Sequence, residues 1–247
     1  MEAVATEQNC AVVELRQYTL HPGQRDVLIE LFERAFIGPL EATGMTVMGQ
    51  FHDLDRPDRF VWMRGFTDMA KRAQSLAAFY SGPVWQAHRD AANATMIESD
   101  NVLLLRPAHA DAAMSLHDRR RPAQNAGACT ERVVVTVSAL RRPADRQRIA
   151  LFDAAIAPAL TAAGARVLGH YVTENSANNY PRLPVREGEH VSVWFAAFAD
   201  DGAFARTRAR LEDSPQWRKV LAEWHDGLAA MPEVLRLAPT PRSLIRN

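Results

Sequence analysis

The feature that most constrains this chain is that it matches itself. Leu31, Phe32, Ile37, Pro39, Gly44, Val47, Gly49 and Phe51 recur as Leu151, Phe152, Ile156, Pro158, Gly164, Val167, Gly169 and Tyr171, at an offset of 119 or 120. Trp62, Phe66, Asp68, Pro83, Trp85, Val102, Leu103, Leu105 and Pro107 recur as Trp194, Phe198, Asp200, Pro215, Trp217, Val234, Leu235, Leu237 and Pro239, now at an offset of 132. Tryptophan and proline repeated at constant spacing mark a duplicated unit. The extra residues must lie between Tyr171 and Trp194, where the polar, proline-containing stretch Glu174 to Glu189 reads as an enlarged loop. This predicts a first unit over 10–107, a linker over 108–129 and a second, divergent unit over 130–241.

Each half reads as strand, helix, strand, strand, helix, strand. Ala11 to Leu20 is apolar and β-branched, His21-Pro22-Gly23 interrupts it, and Val27, Leu28, Leu31, Phe32, Ala35 and Phe36 then recur at helical spacing. Met45 to His52 and Arg59 to Phe66 read as strands around a turn at Asp55-Arg56-Pro57-Asp58. Met69 to about Met96 reads as helix broken at Ser81-Gly82-Pro83, and Asn101 to Leu105 as the closing strand. In the second half Ser214-Pro215 places a capping hydroxyl before a proline at the first helical position. The charged linker, with Arg119-Arg120-Arg121-Pro122 inside it, reads as a solvated connector. The βαββαβ order is that of the ferredoxin-like split unit. Its antiparallel sheet carries both helices on one face and needs cover on the other. Two such units can cover each other, so the fold expected is α+β, an intrachain barrel of two tandem ferredoxin-like units with helices outside.

Composition narrows the function classes. The chain of 247 residues is 47% hydrophobic and 23% charged, which excludes disorder. Lys plus Arg and Asp plus Glu number 29 each, leaving no net field to attract nucleic acid. The two cysteines, Cys10 and Cys129, cannot build a disulfide framework or a four-thiolate metal site. No apolar run approaches the roughly 20 residues of a membrane span, and the acidic start lacks a signal-peptide pattern, so a cytoplasmic protein is expected. Nucleotide-binding glycine fingerprints, a Walker loop and a nucleophile elbow are all absent from the sequence.

The first half resembles the NIPSNAP family, within the wider set of dimeric α+β barrel proteins. The resemblance rests on Glu14-Leu15-Arg16-Gln17-Tyr18-Thr19-Leu20 followed by Pro22-Gly23, on Gly44, Trp62 and Pro83-x-Trp85-Gln86, and on Leu103-Leu104-Leu105-Arg106-Pro107. The second half keeps the spacing but has Val134, Thr136 and Ser138 where Glu14, Arg16 and Tyr18 stand. The resemblance implies the duplicated barrel with strand order 4-1-3-2 in each unit. It leaves the chemistry open, since related barrels include monooxygenases, cyclases, isomerases and haem enzymes.

Strand parity then sorts the polar residues. If the helix-covered face is the more consistently apolar one, Val61, Met63, Val193, Phe195, Val47 and Phe51 face the helices. Glu14, Arg16, Tyr18, Phe60, Trp62, Arg64, Phe66, Met48, Gln50 and His52 then point into the barrel, as do Leu168, His170, Ser192, Trp194, Ala196 and Phe198 from the other half. On this reading Arg16 and Arg64 hold an anionic group, Tyr18 or His170 transfers a proton, and Glu14, Gln50, Trp62 and Trp194 complete a binding site. A structural ion pair among Glu14, Arg16 and Arg64 is the commoner arrangement of such residues. Three functions follow. The first is an enzyme acting without a cofactor on a compact anionic or aromatic substrate, as an isomerase, cyclase, lyase or monooxygenase, with Glu174 to Glu189 as a lid. The second is a non-catalytic assembly or binding protein, its outer helices or exposed sheet edges forming a homo-oligomer. The third is a haem protein with His88, His190 or His225 as axial ligand. No metal site is expected.

Overall fold

The structure, a computed structural model, describes residues 10–117, 119–123, 126–127 and 129–246. The acidic start and part of the linker lie outside the described residues. Strands β1 (Val12–Leu20), β2 (Thr46–Asp53), β3 (Arg59–Phe66) and β4 (Met96–Pro107) belong to the first unit, and β5 (Arg132–Leu140), β6 (Arg166–Thr173), β7 (His190–Phe198) and β8 (Glu233–Pro239) to the second. They close into one antiparallel barrel in the order β1-β3-β2-β8-β5-β7-β6-β4. Within each unit this is the 4-1-3-2 order of a ferredoxin-like sheet. The units join through β2 with β8 and β4 with β6. Closure pairs every strand on both sides, so among the described residues the barrel has none of the exposed sheet edges expected as one route to oligomerisation.

The first helical layer is α1 (Arg25–Leu31), running through a π-turn at Phe32–Phe36 into α2 (Ile37–Ala42). Pro39 lacks the N–H that would bond the carbonyl four residues back, and its ring clashes there in a regular helix. The widened turn just before it accommodates both effects. Pro158 repeats the device, with a π-turn at Phe152–Ile156 between α5 (Arg146–Leu151) and α6 (Ala157–Ala163). The second layer is α3 (Met69–Ser81) and α4 (Pro83–Asn93), matched by α7 (Asp201–Asp213) and α8 (Pro215–His225). Asp68 and Asp200 cap α3 and α7, accepting from the backbone N–H of Lys71 and Ala203. Ser214 caps α8 through the N–H of Trp217, as its position before Pro215 predicts. Helix α4 ends at Asn93, and the residues from Met96 onward, expected at the helix end, instead begin the twelve-residue strand β4.

The parity reading is inverted. Val13, Leu15, Val61, Met63, Leu103 and Leu105 of the first unit pack in one apolar cluster with Val133, Val135, Val137, Val193, Phe195 and Leu237 of the second. Only the barrel interior brings residues of all these strands together. Tyr18, Phe60, Trp62 and Phe66 pack instead with Leu28, Phe32, Phe36 and Phe79 under the first-unit helices, and Trp194, Ala196 and Phe198 lie under those of the second. Among the residues assigned inward, Met48 and Leu168 do face the lumen. A bulge between Val47 and Gly49, repeated between Val167 and Gly169, breaks the alternation so that Phe51 points inward as well. The reason is physical: inside a closed barrel a side chain meets only other strands and no water, so the lumen is the drier face. The helix-covered face has room for polar groups that find partners.

The linker is docked rather than solvated. Met114 and Leu116 pack against the lumen cluster, and the Tyr171 hydroxyl accepts from the Met114 N–H at 2.8 Å. Arg119 donates to the carbonyls of Leu244 and Arg246, and Arg121 to those of Arg242 and Val47, tying linker and C-terminal segment to the barrel. No helix among the described residues is long and apolar enough to cross a membrane. Because Leu15 is fully buried in the two-unit cluster, Leu15→Ala should destabilise the whole barrel by about 2–5 kcal/mol. Urea denaturation should show this as a single lowered midpoint; a loss confined to one half of a biphasic transition would contradict a shared core.

Candidate functional site

A cavity of about 260 Å³ lies between the first-unit sheet and its helices. Arg16 and Tyr18 of β1 and Trp62 of β3 form its floor, because these alternate residues face the helices. Phe32, Phe36 and Leu40 wall it from the helix that contains the π-turn, and Phe79, Tyr80 and Trp85 from α3 and α4. The rings meet mostly edge to face: Phe32 and Trp62 at 4.8 Å between centroids, Tyr80 and Trp85 at 4.9 Å, Phe79 and Tyr80 at 5.1 Å. The Trp62 indole N–H has no hydrogen-bond partner in the fold.

Beneath the floor the polar residues of β1 and β3 converge on Glu14. Arg16 Nη1 lies 2.5 Å and Arg64 Nη2 2.7 Å from Glu14 Oε2, and Arg72 Nε lies 2.7 Å from Oε1. Glu14, Arg64 and Arg72 are wholly buried and Arg16 nearly so. Burial alone would push the Glu14 carboxyl up, but the combined charges of Arg64, Arg16 and Arg72 outweigh it and hold it well below the usual carboxylate range. One carboxylate among three guanidinium groups leaves two positive charges in excess. Burial pushes the Tyr18 hydroxyl up against the opposing charge of Arg16, so the phenol keeps its proton at neutral pH. Its oxygen accepts from Arg16 Nε at 2.9 Å, which directs that proton away from the guanidinium.

The enlarged loop of the second unit covers this site. Tyr180, Arg182 and Leu183 line the cavity, and the Tyr180 ring stacks on Tyr80 at 6.2 Å. Arg72 links the loop to the charge cluster: its Nη1 donates to Asn178 Oδ1 at 3.0 Å and Asn179 Oδ1 at 2.8 Å while its Nε holds Glu14. The Arg186 N–H donates to the Val102 carbonyl at 2.8 Å, anchoring the far end of the loop on β4.

The structure thus brings together Arg16, Tyr18 and Trp62 in the cavity, with Glu14 and Arg64 directly behind them. Gln50 is paired in register with Trp62 and fully buried, but it does not line the cavity, and neither side-chain amide atom has a partner. His170 and Trp194 lie in the other unit. His170 packs on Phe152 at 3.9 Å and shares a 2.7 Å hydrogen bond with Ser192 Oγ. Burial and the nearby His109 pull its pKa down to about 3, so it is a neutral imidazole. The space matching the cavity is filled in the second unit by Trp224, which stands at offset 132 from Ala92. Trp224 packs on Trp194 at 5.3 Å and donates to Ser138 Oγ, the counterpart of Tyr18, at 3.1 Å.

Sequence reasoning missed Arg72, Tyr80 and the loop residues. Nothing local in the sequence signals Arg72, Tyr80 or Tyr180. The histidines considered for haem do not fit this cavity. His88 packs edge-on to Phe36 outside the lining, His225 ends α8, and His190 borders a recess of about 20 Å³.

The fold class is that of the ferredoxin-like α+β barrels, and likeness to solved structures extends over both units. A candidate monooxygenase from Fusobacterium nucleatum superposes with TM-score 0.58 at 9% identity, covering 92% of this chain and 91% of that one. A candidate monooxygenase from Lactobacillus acidophilus superposes with TM-score 0.55 at 13% identity over 92% and 93%, and an anthrone oxidase-like protein with TM-score 0.54 at 13% identity over 96% and 94%. At such identities the likeness is one of fold. No curated protein matches the chain in sequence. Residues 13–110, which span the first unit, match the NIPSNAP family model.

Two pH windows follow. His170 is neutral in the fold, whereas an ordinary histidine takes a proton below about 6.5, so stability should fall from about pH 6.5 toward 3 by up to about 1.4 kcal/mol per pH unit from this group. Glu14 is held ionised in the fold, so its contribution is complete above about 4.3 and is lost as pH falls further. Urea midpoints measured across this range should flatten in the upper window for His170→Gln and in the lower one for Glu14→Gln. The latter should also cost about 3–5 kcal/mol at neutral pH, because three buried guanidinium groups lose their anion. Unchanged acid profiles would contradict these assignments.

Proposed function

We propose that this protein is a small-molecule-binding barrel whose first unit takes a compact aromatic anion in the cavity above Glu14, and that Arg16 and Tyr18 act on it by acid–base chemistry without a cofactor. The observation that carries this reading is an aromatic-walled cavity resting on a buried cluster with two positive charges in excess. A cavity of about 150 Å³ accepts benzene, so one of about 260 Å³ suits one or two fused rings. Aromatic walls supply stacking area, and the buried positive field stabilises negative charge more than water-exposed charges can.

In the reaction proposed, Tyr18 donates its proton to a substrate oxygen on which charge develops, and the charge of Arg16 stabilises that oxyanion. Isomerisation, cyclisation, elimination and oxygenation all pass through such a species. The fold neighbours named for monooxygenase and anthrone oxidase chemistry favour oxygenation among these, in which dioxygen oxidises a ring methylene to a carbonyl, one oxygen atom replacing the two hydrogens in the product and the other leaving with them as water. Tyr18 rather than His170 is the proton donor on this reading, since His170 sits in the second unit and stays neutral. The stretch Glu174 to Glu189 serves as the lid that excludes water.

Binding of 2-naphthoate and of its neutral isostere 2-naphthamide, followed by calorimetry and thermal shift, tests the reading. The acid should bind about tenfold tighter or more, and Arg16→Gln should remove that preference while leaving the protein folded. Equal binding of acid and amide to the unaltered protein would overturn it.

A further inference from the structure

We propose that Tyr80 is a second oxyanion-binding phenol paired with Tyr18, and that the pair selects ligands spreading one negative charge over two oxygens, as an enolised 1,3-dicarbonyl does. This inference rests on the cavity and charge cluster of the proposed function and names the ligand class more closely.

The two tyrosines are held in the same way by different residues. Arg16 Nε donates to the Tyr18 hydroxyl at 2.9 Å, and Arg64 Nη1 donates to the Tyr80 hydroxyl at 3.4 Å. Both arginines bind the same oxygen, Glu14 Oε2, so the two hydroxyls are each one guanidinium away from a shared anchor. Both guanidinium groups also lie against Trp62, 5.6 and 5.1 Å from its ring centroid, which further restrains them. Each phenol oxygen is engaged as an acceptor from its arginine, so each phenol has its single proton to give elsewhere. Both residues line the cavity.

Packing alone does not account for the Tyr80 hydroxyl. The ring is held by Phe79, Trp85 and, from the lid, Tyr180, and a phenylalanine would make the same ring contacts. The bond to Arg64 is too long to contribute much stability. What the hydroxyl adds is a second donor on a residue that lines the cavity, beside a cluster with positive charge to spare. A ligand with one charged oxygen would satisfy Tyr18 and leave Tyr80 unpaired; one with charge on two oxygens satisfies both. Tyr180 stacks on Tyr80, so the lid of the second unit also positions the second phenol.

The test compares 1,3-indanedione, whose enolate shares its charge between two oxygens, with the one-oxygen ketone 1-indanone. Binding to the full chain would be followed by calorimetry, and the enolate absorption band by titration with pH. The unaltered protein should favour the dione, and its band should persist to lower pH when bound. Tyr80→Phe and Tyr18→Phe should each weaken dione binding by about 10- to 100-fold and shift the band back toward that of free dione. Circular dichroism identical to the unaltered protein's would show that the variants fold. If Tyr80→Phe leaves dione affinity and the band unchanged while Tyr18→Phe lowers both, the pairing is wrong and the proposed function stands. If the unaltered protein prefers naphthoate to naphthamide yet shows no preference for the dione, the enolised 1,3-dicarbonyl class is wrong. If it distinguishes neither pair, the reading of the cavity falls and this inference with it.

Discussion

Glu14 is the carboxylate on which three arginines from three elements depend. Arg16 lies on the same strand, Arg64 on the neighbouring strand and Arg72 on the covering helix. Each buried guanidinium would be costly without an anion, so the position of one side chain on β1 governs how strand, sheet and helix meet. The cluster is also unbalanced. Its excess charge would be a liability in a plain hydrophobic layer, but it lies under a cavity, where a ligand can supply the missing negative charge. Structure and proposed chemistry thus share one origin.

The two units solve the same packing problem differently. In the first, the sheet carries Arg16 and Tyr18 beneath the helices, and a cavity lies above them. In the second, Trp224 fills the equivalent space and the sheet carries Thr136 and Ser138. The second unit instead contributes the loop from Glu174 to Glu189, which crosses β4 and closes the first unit's cavity through Arg72, Tyr80 and Val102. One unit holds the site and the other provides its cover and half of the barrel core. This division requires both units on one chain in the observed arrangement, since the lid reaches the cavity only because β4 pairs with β6.

Much of this was legible in advance, and the failures are instructive. The matched tryptophans and prolines marked the duplication, and the loop was visible as twelve residues of extra spacing. Of the residues that mattered, Glu14, Arg16, Tyr18 and Arg64 stood out because Val134, Thr136, Ser138 and Ala196 replace them in the second half, while Trp62 is matched by Trp194. Their direction was misjudged because apolarity was taken to mark the helix side, whereas the closed lumen is the drier face. His170 was grouped with Tyr18 because the same inversion put both in one lumen; each in fact lies under its own unit's helices.

Sequence alone determined the two-unit architecture, the succession of strands and helices along each unit and the asymmetry between the halves, because these are written in periodicity, punctuation and repeat spacing, which act over short distances along the chain. Tertiary structure decided which face of the sheet is functional, that Arg72 and Tyr80 join the site, and that the second unit's loop covers it. Those outcomes depend on contacts between residues tens to more than a hundred positions apart, such as Arg72 with Glu14 and with Asn179. No local pattern encodes them; they arise when the barrel closes and burial forces each charge to find its partner.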